Sequence, residues 1–265
     1  MSFILDGNEY ILQTSFEHGK QAKTYLYKSN NKLYTIKIYS IFTIHYQKKF
    51  LNECKILNYL SSKCNSIHIP CLKQFLIIDK NNDLYSFFNI NDSPEIGILI
   101  YNFIEGLVFD KYIDSDIDLN LINLFCDQIF YTIKFLHYNK ISHRDIKPSN
   151  IIYDPDNKIF NLIDFGFSCY NTCIGYMGTK NYLLPEIYYK TIIPDLDIYK
   201  KNDLYSIGVI LFIYFEKKYP FNNTTFIGFS DNTPINFQTI INLLITAYQN
   251  NYDINYIVDI WNTIK

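Results

Sequence analysis

Arginine is nearly absent from this 265-residue chain: 23 of its 24 basic residues are lysines, and Arg144 is the only arginine. The formal net charge is −2 at pH 7. Without a basic excess the chain cannot neutralise the phosphates of a nucleic acid, so we expect no nucleic-acid partner. The lack of arginine beside abundant Asn, Ile, Lys, Tyr and Phe indicates coding bias in an AT-rich genome, as in some large DNA viruses and some parasites.

Long hydrophobic runs are also missing. The longest apolar stretch, residues 205–215, has 11 residues, whereas a helix needs about 20 to span a bilayer. Residues 1–7 carry neither a basic leader nor an apolar segment long enough for secretion. We therefore expect a buried helix at 205–215, no membrane partner and a cytoplasmic location, which would be the host cytoplasm if the source is a virus.

The spacing of the cysteines excludes the common metal motifs. The six cysteines include no C-x-x-C pair and no spacing typical of a zinc site. Their positions are Cys54, Cys64, Cys71, Cys126, Cys169 and Cys173. In a chain of this size without a secretion signal, we expect free thiols in a reducing compartment.

The periodicity of apolar residues changes along the chain. The first hundred residues favour strands, and only residues 46–60 place apolar side chains at helical spacing. From Leu119 onward the pattern is helical, first over 121–136 and later in an apolar helix that begins at Asp203. We predict an α+β fold with a strand-rich first part and a helix-rich second part, which meet near residues 101–106.

Two motifs carry the chemistry. The run from His143 to Asn150 reads H-R-D-I-K-P-S-N, which fits the pattern H-R-D-x-x-x-x-N, and Asp164-Phe165-Gly166 begins 19 residues after Asp145. Agreement in residue type, order and spacing argues against two unrelated surface loops. These motifs resemble those of the eukaryotic-type serine/threonine protein kinase superfamily, and the resemblance covers nearly the whole chain.

Other segments are similar to further parts of that family's pattern. Lys37 follows Tyr-Thr-Ile on a predicted strand and resembles the lysine of V-A-I-K, with Glu53 as its ion-pair partner 16 residues later. Residues 178–186 resemble the end of an activation segment, with Leu184 in place of the alanine of A-P-E. Asp203 is similar to the aspartate that braces the catalytic loop.

The resemblance implies a bilobal architecture. Residues 1–265 would form one protein kinase catalytic domain, with a small β-rich N-lobe of about residues 1–103 that contains one helix. A larger helical C-lobe would comprise about residues 104–265. ATP would bind in the cleft between the lobes.

The resemblance also implies the roles of three catalytic residues. Asp145 would act as the base toward the attacking hydroxyl, and Lys147 would stabilise charge on the transferred phosphoryl group. Lys37 would contact the α- and β-phosphates, oriented by Glu53. The position of Lys147, two residues after the aspartate, is typical of serine/threonine kinases, so the expected partner is a protein with a serine (or threonine) acceptor.

The implied cofactors are ATP and Mg²⁺. Asn150 and Asp164 would hold the magnesium, since amide and carboxylate oxygens are the hard ligands that it prefers. The implied nucleotide contacts are Phe16, Glu17, Gly19, Ala22, Thr24, Lys37, Glu53, Asn102, Ile104 and Ile152.

The glycine-rich loop departs from the family's G-x-G-x-x-G pattern. Only Gly19 and the small Ala22 remain, and Glu17 replaces the first glycine. The replacement should make the loop stiffer and more negative, because glycines let backbone N–H groups approach phosphates closely. Thr24 and Thr35 stand where apolar side chains usually cover the adenine, which predicts modest ATP affinity.

Two charged residues leave alternatives open. Glu186 has no arginine after it to pair with, so it is solvated, hydrogen-bonded to neutral groups or paired with a nearer lysine. Arg144 either grips a phosphate on the activation segment, with Ser168 and Thr172 as the first candidate acceptors, or belongs to a segment that is ordered without phosphate.

Three functions remain in competition. The first is an active serine/threonine kinase, and the second is a pseudokinase that acts as a binding scaffold, which the degenerate glycine loop favours. A small-molecule kinase is the third, but residues 178–186 and Asp203 argue against it. Packing alone does not require Lys37, Asp145 and Asp164 together, so activity is the preferred hypothesis.

Overall fold

The computed structural model describes residues 2–16, 22–88, 93–222 and 225–265. The chain divides into two units, Met1–Ile104 and Glu105–Lys265. Strands dominate the first unit and helices the second, so the predicted α+β class is confirmed. Glu17 and Gly19 of the predicted phosphate loop lie outside the described residues.

The first unit is built on an antiparallel sheet. Its strands are β1 (Ser2–Leu5), β2 (Asn8–Ser15), β3 (Ala22–Ser29), β4 (Lys32–Ile41), β5 (Leu72–Asp79) and β6 (Glu95–Asn102). Their order across the sheet is β1-β2-β3-β4-β6-β5. One long helix, α1 (Ile44–Leu60), packs against this sheet.

Alternation along β4 separates two apolar clusters. Ile36 and Ile38 belong to one cluster, and Tyr39 and Ile41 belong to another that includes Phe50 of α1. Since neighbouring residues of a strand point to opposite faces, the odd-numbered side chains of this stretch face the helix. This alternation sends Lys37 toward α1.

A short helix in the first unit was not predicted. Helix α2 (Asp83–Phe88) lies outside residues 46–60, which were expected to form the single helix of this part of the chain, so the expectation of one helix is wrong. The side chain of Asn82 accepts a hydrogen bond from the N–H of Leu84, which starts the first turn. Phe88 is buried beside Phe3, with 5.1 Å between the ring centres.

The second unit is mostly helical. Its helices are α3 (Asp110–Ile113), α4 (Leu119–Tyr138), α5 (Pro185–Tyr188), α6 (Leu196–Glu216), α7 (Ile235–Ile245) and α8 (Ile254–Ile264). Its short strands are β7 (Leu107–Val108), β8 (Ile141–Ser142), β9 (Ile151–Asp154), β10 (Ile159–Leu162), β11 (Cys169–Tyr170), β12 (Phe221–Asn222) and β13 (Thr225–Phe226). Helix α4 confirms the amphipathic pattern predicted over 121–136.

Helix α6 is the centre of the second unit. It is buried continuously from Asn202 to Phe212, which confirms the predicted buried helix. It begins at Leu196 rather than at Asp203, because the side chain of Asp195 accepts a hydrogen bond from the N–H of Ile198 and caps the first turn. Within the described ranges, no helix combines the length and the apolar character that a bilayer crossing requires.

Four of the six cysteines form disulfides, so the expectation of six free thiols is wrong. Cys64 pairs with Cys71 and Cys169 pairs with Cys173, with Cα atoms 5.2 Å and 5.3 Å apart. Each pair is separated by a short loop that turns back on itself, which the spacing alone does not reveal. Cys54 and Cys126 are free and buried, and burial raises the pKa of the Cys54 thiol to about 12.

Gly106 generates a stability prediction. Its φ is +116°, and a Cβ atom there would lie 2.1 Å from the carbonyl oxygen of Tyr153. We expect Gly106→Ala to lower the free energy of unfolding by about 3 kcal/mol, because left-handed strain and overpacking add. Urea denaturation measures this loss.

The matched control is Gly228→Ala. Gly228 also has a positive φ, +75°, but a Cβ would meet no described atom within 4 Å. This variant should lose only about 1 kcal/mol, from backbone strain alone. Equal losses in the two variants would contradict the packing explanation for Gly106.

Candidate functional site

The first group of predicted residues lies in the sheet unit, where Lys37 and Glu53 form a buried ion pair. Lys37 Nζ is 3.3 Å from Glu53 Oε1 and 5.0 Å from the centre of the Tyr39 ring. The hydroxyl of Tyr39 donates to Glu53 Oε2. Because a buried charge pair needs further hydrogen bonds to offset desolvation, Tyr39 helps to fix the carboxylate beside the lysine.

The sequence explains why this pair meets. Alternation turns Lys37 to the face of the sheet that α1 covers. On α1, Phe50, Glu53, Cys54 and Leu57 are buried with the spacing of one helical face. Glu53 therefore projects toward the sheet although it is charged, and the predicted ion pair is present.

Predicted nucleotide contacts of the sheet unit lie on neighbouring strands. In the register of β3 and β4, Thr24 is opposite Lys37 and Ala22 is opposite Tyr39. The N–H of Phe16 donates to the carbonyl of Thr24 at 2.9 Å. Ala22 and Thr24 therefore lie on the strand that pairs with the strand of Lys37.

The other predicted nucleotide contacts are dispersed in the chain. Phe16 stacks on Phe103, with 6.2 Å between the ring centres. Asn102 ends β6, and Ile104 closes the first unit. Ile152 belongs to β9 of the second unit and is partly buried.

The second group is organised by the buried carboxylate of Asp203 on α6. Its Oδ1 accepts the N–H of Arg144 at 2.8 Å, and its Oδ2 accepts the N–H of His143 at 3.0 Å. The hydroxyl of Ser142 and Nε2 of His137 lie 2.8 Å and 3.0 Å from Oδ2. Two consecutive backbone amides are thus held by one side chain.

The pKa of Asp203 reflects this environment. Burial alone would raise the pKa, but the hydrogen bond and charge of His137, attraction to His143 and the N–H of Arg144 lower it below the ordinary 3.8. The carboxylate is therefore charged at neutral pH. It fixes a loop in which Arg144 has the left-handed φ of +67°, a conformation that costs energy outside glycine.

Asp145 follows the two residues whose amides Asp203 accepts, and its carboxylate is surrounded by polar groups. Its Oδ1 accepts the hydroxyl of Thr179 at 2.6 Å, and its Oδ2 lies 2.9 Å from Lys147 Nζ. Asn150 Nδ2 donates to the same Oδ2 at 3.0 Å. Lys147 Nζ also donates to Thr179 Oγ1 at 2.9 Å. The cluster joins a carboxylate, a cation and a hydroxyl, which suits proton transfer and charge stabilisation at a reacting hydroxyl.

Asn150 and Asp164 are linked through the backbone. The N–H of Ile163, the residue before Asp164, donates to the carbonyl of Asn150 at 2.9 Å. Asp164 has the left-handed φ of +64°, and its Oδ1 accepts the N–H of Gly166 at 3.3 Å. A strained conformation outside glycine persists only where its surroundings impose it.

The donor set fits the implied magnesium ion. The amide nitrogen of Asn150 is used by Asp145, which turns its carbonyl oxygen away as a possible ligand. Asp164 adds a carboxylate. In the described ranges no three or more His, Cys, Asp and Glu side chains are grouped to hold a metal, and magnesium sites that use one or two side chains with phosphates need no such group.

Arg144 is engaged by the segment that follows Asp164. Its Nε donates to the carbonyl of Phe167, and its Nη1 donates to the carbonyl of Ile174 at 3.2 Å. Its guanidinium carbon lies 4.9 Å from the centre of the Tyr199 ring. Burial is the largest influence on this guanidinium and lowers its pKa. This arrangement orders the segment with backbone carbonyls and an aromatic ring as partners.

The candidate phosphate acceptors differ in access. Ser168 is fully buried, and its hydroxyl donates to the carbonyl of His143 at 3.3 Å. The hydroxyl is inaccessible to solvent in this arrangement, and phosphorylation of Ser168 stays a prediction. Thr172 is exposed, and its modification stays a prediction.

Glu186 follows one of the three alternatives left open by the sequence. Its Oε1 accepts from Nε2 of Gln249 at 3.5 Å, which is a neutral partner. Its Oε2 is buried with no hydrogen-bond partner among the described residues. The carboxylate of this α5 residue is therefore weakly supported, since a missing partner for a buried oxygen is costly.

Several residues that support the site were not predicted from the sequence. Tyr39 has a usable signal, because it lies two residues after Lys37 and so shares its strand face. Thr179 was recognised only as part of the segment end. His137 and Tyr199 carry no sequence signal, since only the tertiary packing of α4 and α6 brings them to Asp203 and Arg144.

Comparisons with known proteins agree with the motifs. The family model described as the protein kinase domain matches residues 13–256. A candidate serine/threonine-protein kinase of Acanthamoeba polyphaga mimivirus is 34% identical over 161 residues, which cover 57% of this chain and 56% of that protein. The ovarian-specific serine/threonine-protein kinase Lok of Drosophila melanogaster is 27% identical over 66% of this chain and 34% of its own length.

A bacterial relative is similar over a shorter part. The serine/threonine-protein kinase PrkC of Bacillus subtilis is 29% identical over 149 residues, 53% of this chain and 22% of PrkC. The matched regions thus span between about a fifth and just over half of the length of these relatives.

Asp203→Asn tests the anchor of the loop. The substitution removes the charge that the two amides and His137 stabilise, and we expect a loss of about 3 kcal/mol in the free energy of unfolding at pH 7. Because the folded-state pKa is below 3.8, the contribution is complete above that value and is lost as the pH falls through the folded-state pKa.

The control for this prediction lies on the same helix. Asp197 pairs with Lys200 at 3.5 Å, but its side chain is 83% exposed. Asp197→Asn should cost less than about 1 kcal/mol. Urea unfolding of both variants at pH 7 checks the difference, and a wild-type-like Asp203→Asn would contradict the anchoring role.

Proposed function

We propose that this chain, which belongs to the protein kinase domain family, transfers the γ-phosphoryl group of ATP to serine or threonine hydroxyls of protein substrates. The observation that carries the proposal is the cluster of Asp145, Lys147 and Thr179, in which each side chain contacts the other two. A family resemblance in sequence could persist in an inactive scaffold, whereas this cluster has the chemistry that hydroxyl transfer needs.

Asp145 is the proposed base. Its carboxylate orients the substrate hydroxyl and accepts its proton as the phosphoryl group is transferred. Lys147, at 2.9 Å from that carboxylate, pairs with Asp145 and stabilises negative charge on the phosphoryl oxygens. Thr179 occupies Oδ1 of Asp145 and so restricts the carboxylate to one orientation.

Lys37 is the proposed phosphate contact. Its ammonium is held by Glu53 and the Tyr39 ring, so little side-chain entropy remains to be lost when it meets the α- and β-phosphates. Tyr39 and Glu53 are positioning residues that act through this lysine. ATP is the proposed nucleotide, and Ala22 and Thr24 lie on the strand next to Lys37.

Asn150 and Asp164 are the proposed magnesium ligands. Their amide and carboxylate oxygens would hold the ion, and its positive charge would neutralise the triphosphate. Asn150 also donates to Asp145, so one amide side chain connects the metal ligand to the base. This connection sets the position of both groups at the same time.

A protein acceptor is favoured over a small molecule. Residues 178–186 extend from the Thr179 contact into α5, and Ser206 on α6 donates to the carbonyl of Tyr182 at 2.7 Å. This fixed stretch beside the base offers a surface for an extended peptide rather than an enclosed pocket. We infer one catalytic domain over residues 1–265, with N-lobe and C-lobe near residues 1–103 and 104–265, acting in the cytoplasm.

A scaffold without transferase activity is the second candidate. Glu17 in the expected phosphate loop is the observation that favours it, since a carboxylate there repels phosphate. The charges of Lys37, Glu53 and Asp145 are buried and paired. They favour activity, because buried charges are costly to keep without a use. The two functions differ in one measurable property, the transfer of phosphate.

Asp145→Asn provides that measurement. We expect the variant to transfer radiolabelled γ-phosphate from ATP to a generic basic protein at least about 100-fold more slowly than wild type, because an amide cannot accept the proton. The assay is run with Mg²⁺ and with Mn²⁺, followed by phosphoamino-acid analysis. Phosphoserine and phosphothreonine are the expected products.

Two outcomes would contradict the proposal in different ways. Full activity in Asp145→Asn would show that the base is another residue. No transfer by the wild type above the variant, under either metal, would favour the scaffold. Asp197→Asn is the matched carboxylate control and should keep wild-type activity.

A further inference from the structure

The disulfide between Cys169 and Cys173 lies in the segment that follows Asp164-Phe165-Gly166. It closes a ring of five residues, 169–173. The proposed phosphoryl transfer uses no sulfur atom, so this bond has no role in that chemistry. Its neighbours indicate what it holds together.

One end of the ring is fixed to the strand before the catalytic loop. Strand β11 pairs antiparallel with β8, and the N–H of Asn171 donates to the carbonyl of Lys140 at 2.9 Å. The hydroxyl of Ser142 on β8 donates to Asp203. Cys169 is therefore attached to the same framework that anchors the loop of Asp145.

The other end of the ring leads to the acceptor side of the site. Cys173 is followed by Ile174, whose carbonyl accepts from Arg144. Five residues later Thr179 donates to Asp145. The disulfide thus ties the fixed strand covalently to the start of the stretch that ends at Thr179.

The two cysteines differ in their exposure to solvent. Cys169 is 4% exposed, whereas Cys173 is partly exposed and follows the exposed Thr172. The turn between them is tight, since Asn171 has a φ of +62° and the N–H of Thr172 donates to the carbonyl of Tyr170 at 2.7 Å. This turn brings the cysteines together again after reduction.

We propose that Cys169 and Cys173 form a redox modification site, at which reversible thiol–disulfide exchange with small thiols and disulfides controls the segment that carries Thr179. This inference rests on the proposed function for its effect on activity, but not for its effect on the segment. The disulfide form holds the Thr179–Asp145 contact, and the dithiol form releases residues 173–178.

The exchange consumes two small thiols and needs no other reactant. A small thiolate attacks Sγ of the accessible Cys173, which breaks the Cys169–Cys173 bond and leaves a mixed disulfide and the Cys169 thiolate. A second small thiolate attacks the small-molecule sulfur of that mixed disulfide and releases the Cys173 thiolate. The products are one small disulfide and two protein thiols, which take up the two protons lost by the small thiols. Oxidation is the reverse sequence.

We expect the disulfide form to be the more active form, because the closed ring restricts the residues that follow it. With the bond closed, the residues after Cys173 have fewer conformations to lose when Thr179 binds Asp145. We expect reduction to lower kcat/KM for a serine-containing protein substrate about fivefold, within the usual range of coupling between two sites. The effect should fall mainly on KM for the protein substrate.

The experiment compares three proteins that each comprise residues 1–265, equilibrated in oxidised or reduced glutathione. They are wild type, Cys169→Ser/Cys173→Ser and the matched control Cys64→Ser/Cys71→Ser, which removes the other disulfide. Alkylation with mass spectrometry reports the state of each cysteine. Limited proteolysis reports cleavage within residues 170–178, and phosphotransfer reports activity.

The expected result is that reduction speeds cleavage at 170–178 and lowers activity in wild type and in the Cys64/Cys71 control. The Cys169/Cys173 variant should show the reduced behaviour under both conditions. A wild type whose cleavage does not change while alkylation shows 169 and 173 switching would overturn the proposal, and so would a disulfide that glutathione never reduces. If no protein transfers phosphate, the proposed function fails, while proteolysis still decides this inference.

Discussion

The carboxylate of Asp203 is the interaction on which the described site depends. One buried side chain accepts the amides of two consecutive residues, His143 and Arg144, and fixes the backbone just before Asp145. The charge is retained because His137 and several N–H and O–H donors offset the cost of burial. The loop can then keep Arg144 in a left-handed conformation, and the backbone that carries Asp145 is fixed.

Two chains of contacts begin at the loop that Asp203 fixes. One leads from Asp145 through Asn150 to Ile163 and the neighbouring Asp164, so that the proposed base and the proposed metal ligands are built on one framework. The other leads from Arg144 to Ile174 and on to Thr179, which returns to Asp145. Because preorganised groups need not reorder during reaction, such a framework suits phosphoryl transfer, in which positioning and charge neutralisation supply most of the catalysis.

The sequence predicted those features of the fold and of the site that depend on local periodicity and on motif spacing. Periodicity predicted the α+β class and helix α4, whereas the pairing of Lys37 with Glu53 was predicted from the resemblance to the protein kinase motifs. The sequence pattern did not reveal helix α2, whose six residues are too short to show a period. It placed the start of α6 at Asp203, because the cap at Asp195 precedes the apolar run. Contacts such as Tyr199 on Arg144 arise only when distant segments pack.

Amide hydrogen exchange on ATP binding is the measurement that addresses the proposal that Lys37, Asn150 and Asp164 serve one magnesium-bound nucleotide. Exchange is followed by mass spectrometry with ATP and Mg²⁺, with ATP and a chelator, and with no addition. We expect slower exchange around Lys37 and around residues 150–166 only when ATP and Mg²⁺ are both present. Unchanged exchange in both segments under all three conditions would rule the proposal out.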